Sequence, residues 1–217
     1  ALDMYSDHRY KSVPMRDYSI PVIPLGPAFA EMVNNDGLNR FSNFPMTSFS
    51  RVEWNDSNGF FDSENDDLAP KGFTFARHEI KPGVFVDVYN LHMDAGENDV
   101  RDARARRSQV EQLLEDIGKA SKGFAVIIAG DTNLIEHDQY DEPVLERLVD
   151  GGGLTDSARK LGIKNSSFDR VLYRSSSNVQ LEAISWQYAT EFVVGNKALS
   201  DHDPVHVKMR VSTNRQP

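Results

Sequence analysis

In the stretch Val84-Phe85-Val86-Asp87-Val88-Tyr89-Asn90-Leu91-His92 the valines occupy alternate positions, the period of a β-strand with one apolar face. Continuing that face forward places Asn90 and His92 on the same side at the strand's end, where the core row gives way to polar groups. Phe124 to Ala129 (FAVIIA) is an unbroken apolar run that stops at Gly130, which suits a strand buried on both faces. Val205, Val207, Met209 and Val211 alternate again, and FDRVLY over 168–173 puts Asp169, Val171 and Tyr173 on one face. Helical spacing runs from Val100 to Lys119, where Val110, Leu113, Leu114 and Ile117 form one stripe and Gly118 stands near the end. Pro143 to Val149, followed by three glycines, reads as a shorter helix. Strand, long helix, buried strand, short helix and further strands predict a mixed α/β chain with helices packed outside sheets.

Between these elements, residues 53–71 are polar, acidic and rich in turn formers, which predicts an exposed loop, and 212–217 read as a loose tail. No repeat divides the chain, so its 217 residues, 39 % of them hydrophobic, are read as a single domain. No stretch approaches the roughly 18 apolar residues of a membrane span. Residues 1–20 lack the basic start and apolar run of a signal peptide. Acidic residues outnumber basic ones by 33 to 24, and a formal charge of -9 repels a polyanion unless basic residues cluster on one face. The absence of cysteine excludes disulfides, thiolate metal sites and cysteine nucleophiles.

Four polar clusters each follow a strand signal: Asn90-Leu91-His92, Gly130-Asp131-Thr132-Asn133, Asp169 within FDRV, and Ser200-Asp201-His202-Asp203. Active sites of layered α/β proteins gather at strand ends and their loops. Each cluster also has a plain reading: His92 as a satisfied structural histidine, Gly-Asp-x-Asn as turn chemistry, Ser-Asp-His-Asp as a loop entering a strand. Asp169 is harder to dismiss, because a carboxylate inside an apolar strand is costly without a partner. Together the residue types suit hydrolysis of a phosphodiester, which needs a hard cation on oxygen ligands, a group that activates water, and donors for charge developing on phosphorus. Asp131 and Asn133 can present oxygens to one point, two histidines supply donors, and a buried Asp can fix one imidazole.

The ordered set N-L-H, G-D-T-N, F-D-R-V and S-D-H-D-P-V, with Gly37-Leu38 and the Phe44-Pro45-Met46 turn upstream, resembles the endonuclease/exonuclease/phosphatase superfamily. That superfamily includes the DNase I-like nucleases and bacterial-type neutral sphingomyelinases, and the resemblance runs from about Gly37 to Val211. It implies an α/β fold, a four-layer sandwich of two mixed β-sheets flanked by helices. It also implies a magnesium-dependent phosphodiesterase, with manganese or calcium as alternative ions. By the same resemblance Asp131 orients or deprotonates the attacking water, and His92, Asn133 and His202 bind the phosphate. Asp169 orients His202, Asp201 and Asp131 are candidate metal ligands, and Asn90 is structural support.

The chain departs from the family at its start. Family members end one early strand in a metal-site Asn and a later one in the Glu, usually preceded by Gln, that holds the principal magnesium; neither pattern is found here. Glu31, in Ala28-Phe29-Ala30-Glu31-Met32, is not in a strand-then-loop context and takes no role. Ala1 to Pro21 instead resemble the region that follows the glutamate, which predicts an N-terminally incomplete domain lacking on the order of 30 residues or more. Such a chain is expected to expose an apolar face and unpaired sheet edges. The missing part would lie on a separate N-terminal polypeptide, be absent because the sequence is partial, or be replaced by a partner covering a repurposed fragment.

Substrate is left open by the resemblance, since the superfamily cuts DNA, RNA, inositol phosphates, sphingomyelin and nucleotide esters. The net charge leans against duplex nucleic acid. The Arg101, Arg104, Arg106, Arg107 cluster is the exception, and it is read as a solvated helix face in preference to a polyanion contact. The run from Asn90 to Gly96 (NLHMDAG) resembles the sphingomyelinase-like, secreted branch, and Asn55-Asp56-Ser57 and Asn165-Ser166-Ser167 fit the glycosylation pattern of a secreted protein. Two other readings stay open: a catalytically incomplete binding or regulatory module, and an endonuclease on DNA or RNA.

Overall fold

Two short antiparallel pairs open the chain in the computed structural model: β1 (Tyr10–Lys11) with β4 (Phe41–Ser42), and β2 (Tyr18–Ile20) with β3 (Met32–Asn34). The structure describes residues 7–12, 18–20, 32–34, 36–58, 71–96, 99–165, 167–194 and 197–214; Glu31 and much of the opening segment lie outside them. After β4 come β5 (Met46–Glu53), β6 (Gly72–Lys81), β7 (Val84–His92), α1 (Val100–Ala120), β8 (Ala125–Asp131) and α2 (Glu142–Gly152). They are followed by β9 (Thr155–Asp156), α3 (Ser157–Lys160), β10 (Asp169–Arg174), β11 (Val179–Tyr188), β12 (Val193–Val194), β13 (Lys197–Ala198) and β14 (Val205–Thr213).

The main sheet has six strands in the order β5-β6-β7-β8-β10-β9. Every pair in it is antiparallel except β7–β8, which are parallel and joined by α1. Alternation along β7 divides the core in two. Tyr89 and Leu91, with Phe73, Val126, Ile128 and Leu172, pack under the α1 stripe of Val110, Leu113 and Ile117 and under Val144, Leu145 and Leu148 of α2. The opposite face carries Val86, Ala125 and Tyr173 against Val179, Leu181 and Ala183 of β11. β11 and β14 form an antiparallel ribbon, and the alternate side chains of β14, Val207, Met209 and Val211, are half-buried on that second core.

Helix α1 begins where Asp99 accepts a hydrogen bond from the Arg101 amide, and Asp102 in its first turn and Lys119 in its last complement the helix dipole. Helix α2 stops at Gly153, whose left-handed φ of 58° costs a glycine nothing.

The mixed α/β architecture is as the sequence implied, with two sheets face to face and helices outside. Among the described residues, though, the second sheet is a two-stranded ribbon, so the layers seen are helices, main sheet and ribbon. Strand β8 runs past the FAVIIA segment to Asp131, because β10 pairs with it up to Asp169↔Asp131. Ser212 and Thr213, read as tail, extend β14 by pairing with β11. Arg106 is not on a solvated helix face: it is fully buried, while Arg101, Arg104 and Arg107 are exposed. Among the described residues no helix is long and apolar enough to cross a membrane.

Candidate active site

Strand register brings the candidates together. His92 ends β7, and its Cα partner across the parallel pair is Asp131; Asp131 in turn pairs with Asp169 at the start of β10. His92, Asp131 and Asp169 therefore form one row across three adjacent strands. They share the side of the sheet that carries Val86, Ala125 and Tyr173, the side facing the ribbon. His202 comes from the loop that leads into β14 and meets this row at Asp169.

Nδ1 of His202 lies 2.7 Å from Oδ2 of Asp169. An ionised carboxylate can only accept, so Nδ1 carries the proton and Nε2 is left for a ligand. Asp169 is itself fixed: Ser167 Oγ donates to Oδ2 at 3.1 Å and accepts from the Asp169 amide at 3.0 Å. The carboxylate is half-exposed, not enclosed in an apolar strand, because it sits at the strand's first position. The His92 imidazole approaches Asp131 at 3.4 Å. Asp131 also receives the Asn133 amide at 2.9 Å, and the Asn133 side chain donates to the Met93 carbonyl at 3.0 Å, tying the two strand-end loops to each other. Asn133 holds this bridge at a φ of 48°, a conformation that asparagine tolerates.

Burial pushes the Asp131 carboxyl above its ordinary value; the Asn133 amide, His92 and His202 oppose that shift and Asp169 adds to it. Asp131 thus senses both histidines and the second carboxylate. The Asp169 hydrogen bond raises the pKa of His202. The result is a carboxylate tuned toward accepting a proton beside an imidazole tuned toward keeping one.

Ser167, Phe168, Tyr188, Asp201, His202 and Asp203 line an opening of about 420 Å3 beside this row. Asp201 is exposed, and Ser200 Oγ donates to it at 3.3 Å. Among the described residues no three or more His, Asp or Glu side chains converge as metal ligands. Asp131 meets the Asn133 amide with Oδ1 and His92 with Oδ2, while Asp169 meets both Ser167 and His202 with Oδ2. A magnesium ion would need ligands beyond these.

Asn90 donates to the Asn39 carbonyl at 3.3 Å, a supporting contact. Asn165, read as a glycosylation acceptor, is buried and donates to the Asp169 carbonyl at 3.0 Å; Asn55 is exposed. Sequence reasoning assigned no site role to Trp54, whose indole N–H holds the His92 carbonyl at 2.7 Å, nor to Ser167, Phe168 and Tyr188. Serine and aromatic residues near strand ends carry no spacing signature; only tertiary contact selects them.

No family model matches the chain. Sphingomyelinases of Mycobacterium bovis and Mycobacterium tuberculosis are 30 % identical over 202 residues, 85 % of this chain; the chain spans 38 % of the length of these curated relatives. Beta toxin from Staphylococcus aureus superposes with a TM-score of 0.62 at 16 % identity, covering 95 % of this chain and 80 % of that one. Humanized D. rerio TDP2 gives 0.58 at 19 % identity, over 79 % of this chain and 69 % of that one. Another structure of beta toxin holds bound magnesium ions. With the ordered strand-end row above and these likenesses in sequence and fold, the chain has the fold of the endonuclease/exonuclease/phosphatase superfamily.

Proposed function

We propose that this chain forms the catalytic part of a phosphodiesterase that hydrolyses a phospholipid of the sphingomyelin type. One observation carries the reading: two imidazoles, His92 and His202, each set against a carboxylate in a single row at the ends of adjacent strands. Asp131 takes a proton from water as the water oxygen bonds to phosphorus. The bond from phosphorus to the leaving oxygen breaks, and His202, held by Asp169, gives that oxygen its proton. His92 and Asn133 donate to the phosphate oxygens as negative charge develops on them.

The substrate class is supported by the sphingomyelinase relatives and by two features of the surface. Phe168 and Tyr188 with Asp201 and Asp203 give the opening aromatic faces and negative charge, a lining suited to a cationic headgroup. Phe192, Val193, Val194 and Leu199 stand exposed on and beside the β12–β13 hairpin just ahead of His202, where a lipid surface would meet them. A divalent cation, magnesium by analogy with the beta toxin that binds it, and a secreted location belong to the same proposal.

The test uses the full-length protein with magnesium, on sphingomyelin vesicles, phosphatidylcholine vesicles, and single- and double-stranded DNA. Release of the phosphorylated headgroup from sphingomyelin, stopped by EDTA and reduced about 100- to 10,000-fold by His202→Ala, is the expected result. Cleavage of DNA alone would transfer the site to a nuclease; cleavage of nothing with magnesium bound would make the chain a binding module.

A further inference from the structure

Helix α1 contributes a buried cation with no place in the chemistry above. Arg106 and Asp141 are each 1 % exposed and paired through Nη2–Oδ1 at 2.7 Å and Nε–Oδ1 at 3.1 Å. The remaining Arg106 nitrogen, Nη1, donates to the carbonyls of Asp94, Ala95 and Gly96 at 3.0, 3.0 and 2.9 Å, which is the loop that follows His92. One turn further along α1, Gln109 accepts from the Asp94 amide at 3.0 Å. Asp141 opens α2 but makes no side-chain cap there; its second oxygen accepts instead from the Ile135 amide at 3.2 Å, in the loop that follows Asn133.

The carbonyl of the same Leu134–Ile135 peptide is held from the other side. Arg170, next to Asp169 in β10, donates to Leu134 O at 3.0 Å and to Asp156 at 3.1 Å. A single peptide plane just past Asn133 is therefore gripped at its oxygen and its nitrogen by two buried ion pairs. The first of these pairs also holds the loop after His92.

We infer that the Arg106–Asp141 pair is a positioning clamp that sets the Asn133 loop against the His92 loop, and so fixes the spacing of Asp131, Asn133 and His92. The inference rests on the phosphodiesterase reading for its kinetic consequence, but not for its geometry. Arginine is required because one planar group donates in three directions at once, to one carboxylate and three carbonyls; a lysine ammonium has three donors at one point. Misplacement of reacting groups by about 1 Å can cost on the order of 100-fold in rate.

In the full-length protein, Arg106→Lys and Asp141→Asn are expected to lower kcat about 10- to 100-fold with KM held within about twofold. The exposed neighbour Arg104→Lys is expected to leave both unchanged. The independent readout is the side-chain amide of Asn133 in 15N-labelled protein, whose bond to the Met93 carbonyl should give a distinct, exchange-protected signal in the parent and a shifted, faster-exchanging one in both clamp variants. Asp141→Asn keeps the shape of the pair, so it carries the test should Arg106→Lys fail to fold. An unchanged Asn133 signal in a folded clamp variant overturns the inference. So does an unchanged kcat in a parent that cleaves the diester. A parent that cleaves no diester defeats the functional reading instead, and the amide signal alone then decides the clamp.

Discussion

His202 and Asp131 are shifted in the same direction for different reasons, the imidazole by its hydrogen bond to Asp169 and the carboxyl by burial. Hydrogen bonding to Asp169 raises His202 above its ordinary value, so the pair adds stability that is complete below about pH 6.5 and is lost as pH rises through the raised pKa. Asp169→Asn removes the largest cause of that shift. The NMR titration midpoint of His202 should fall toward the ordinary value, and thermal melts should show the variant's deficit at pH 5–6 shrinking by about pH 9. Burial raises Asp131, so the proposed water-activating form is filled only above the ordinary aspartate range. Rate plotted against pH should rise on an acidic limb set by Asp131 and fall on a basic limb set by His202, and Asp169→Asn should move the basic limb down. Residue types and order in the chain were enough to nominate these groups; the Ser167 and Trp54 contacts that hold them were not legible, since neither belongs to a recurring spacing.

At the scale of elements, the site depends on β7 and β8 lying parallel and close enough for His92 and Asp131 to share a row. Gly130 makes that approach possible. At its φ of 144° an added Cβ would stand 2.1 Å from the Leu91 carbonyl oxygen, a backbone atom that cannot turn aside. Gly130→Ala should therefore separate the two strands and cost on the order of 3 kcal/mol in urea or thermal unfolding, with loss of activity at temperatures where the protein is still folded. The strand from Val84 to His92 and the α1 stripe were legible because the valines of the one and the apolar side chains of the other each recur at a single period. The end of β8 was not, because Gly130 and Asp131 read as a turn until β10 supplies the backbone partners that keep them extended. Arg106 misled for a related reason: in a run of four arginines, only packing tells which one faces inward.

The whole molecule carries a formal charge of -9, and among the described residues the exposed large apolar side chains stand mainly around one hairpin, Phe192, Val193, Val194 and Leu199 at 50–69 % exposure. That combination suits a zwitterionic lipid surface better than a polyanion. Replacing Phe192 and Leu199 together with serine should weaken binding to sphingomyelin vesicles by about 10-fold or more, since each large apolar side chain withdrawn from water is worth about 1.5–3 kcal/mol. Turnover of a small water-soluble phosphodiester should be unaffected. The sequence by itself determined the mixed α/β class, the strands β7, β8, β10 and β14 and the helices α1 and α2, and nominated the set His92, Asp131, Asn133, Asp169 and His202, because these follow from local periodicity and from short ordered motifs; β5, β6 and β11 were not legible in it. Tertiary structure alone decided the row that aligns three of them, the opening between Phe168 and Tyr188, and the burial of Arg106 with Asp141. Those features depend on which strands become neighbours and which side chains turn inward, and contacts between residues far apart in the chain leave no period along it.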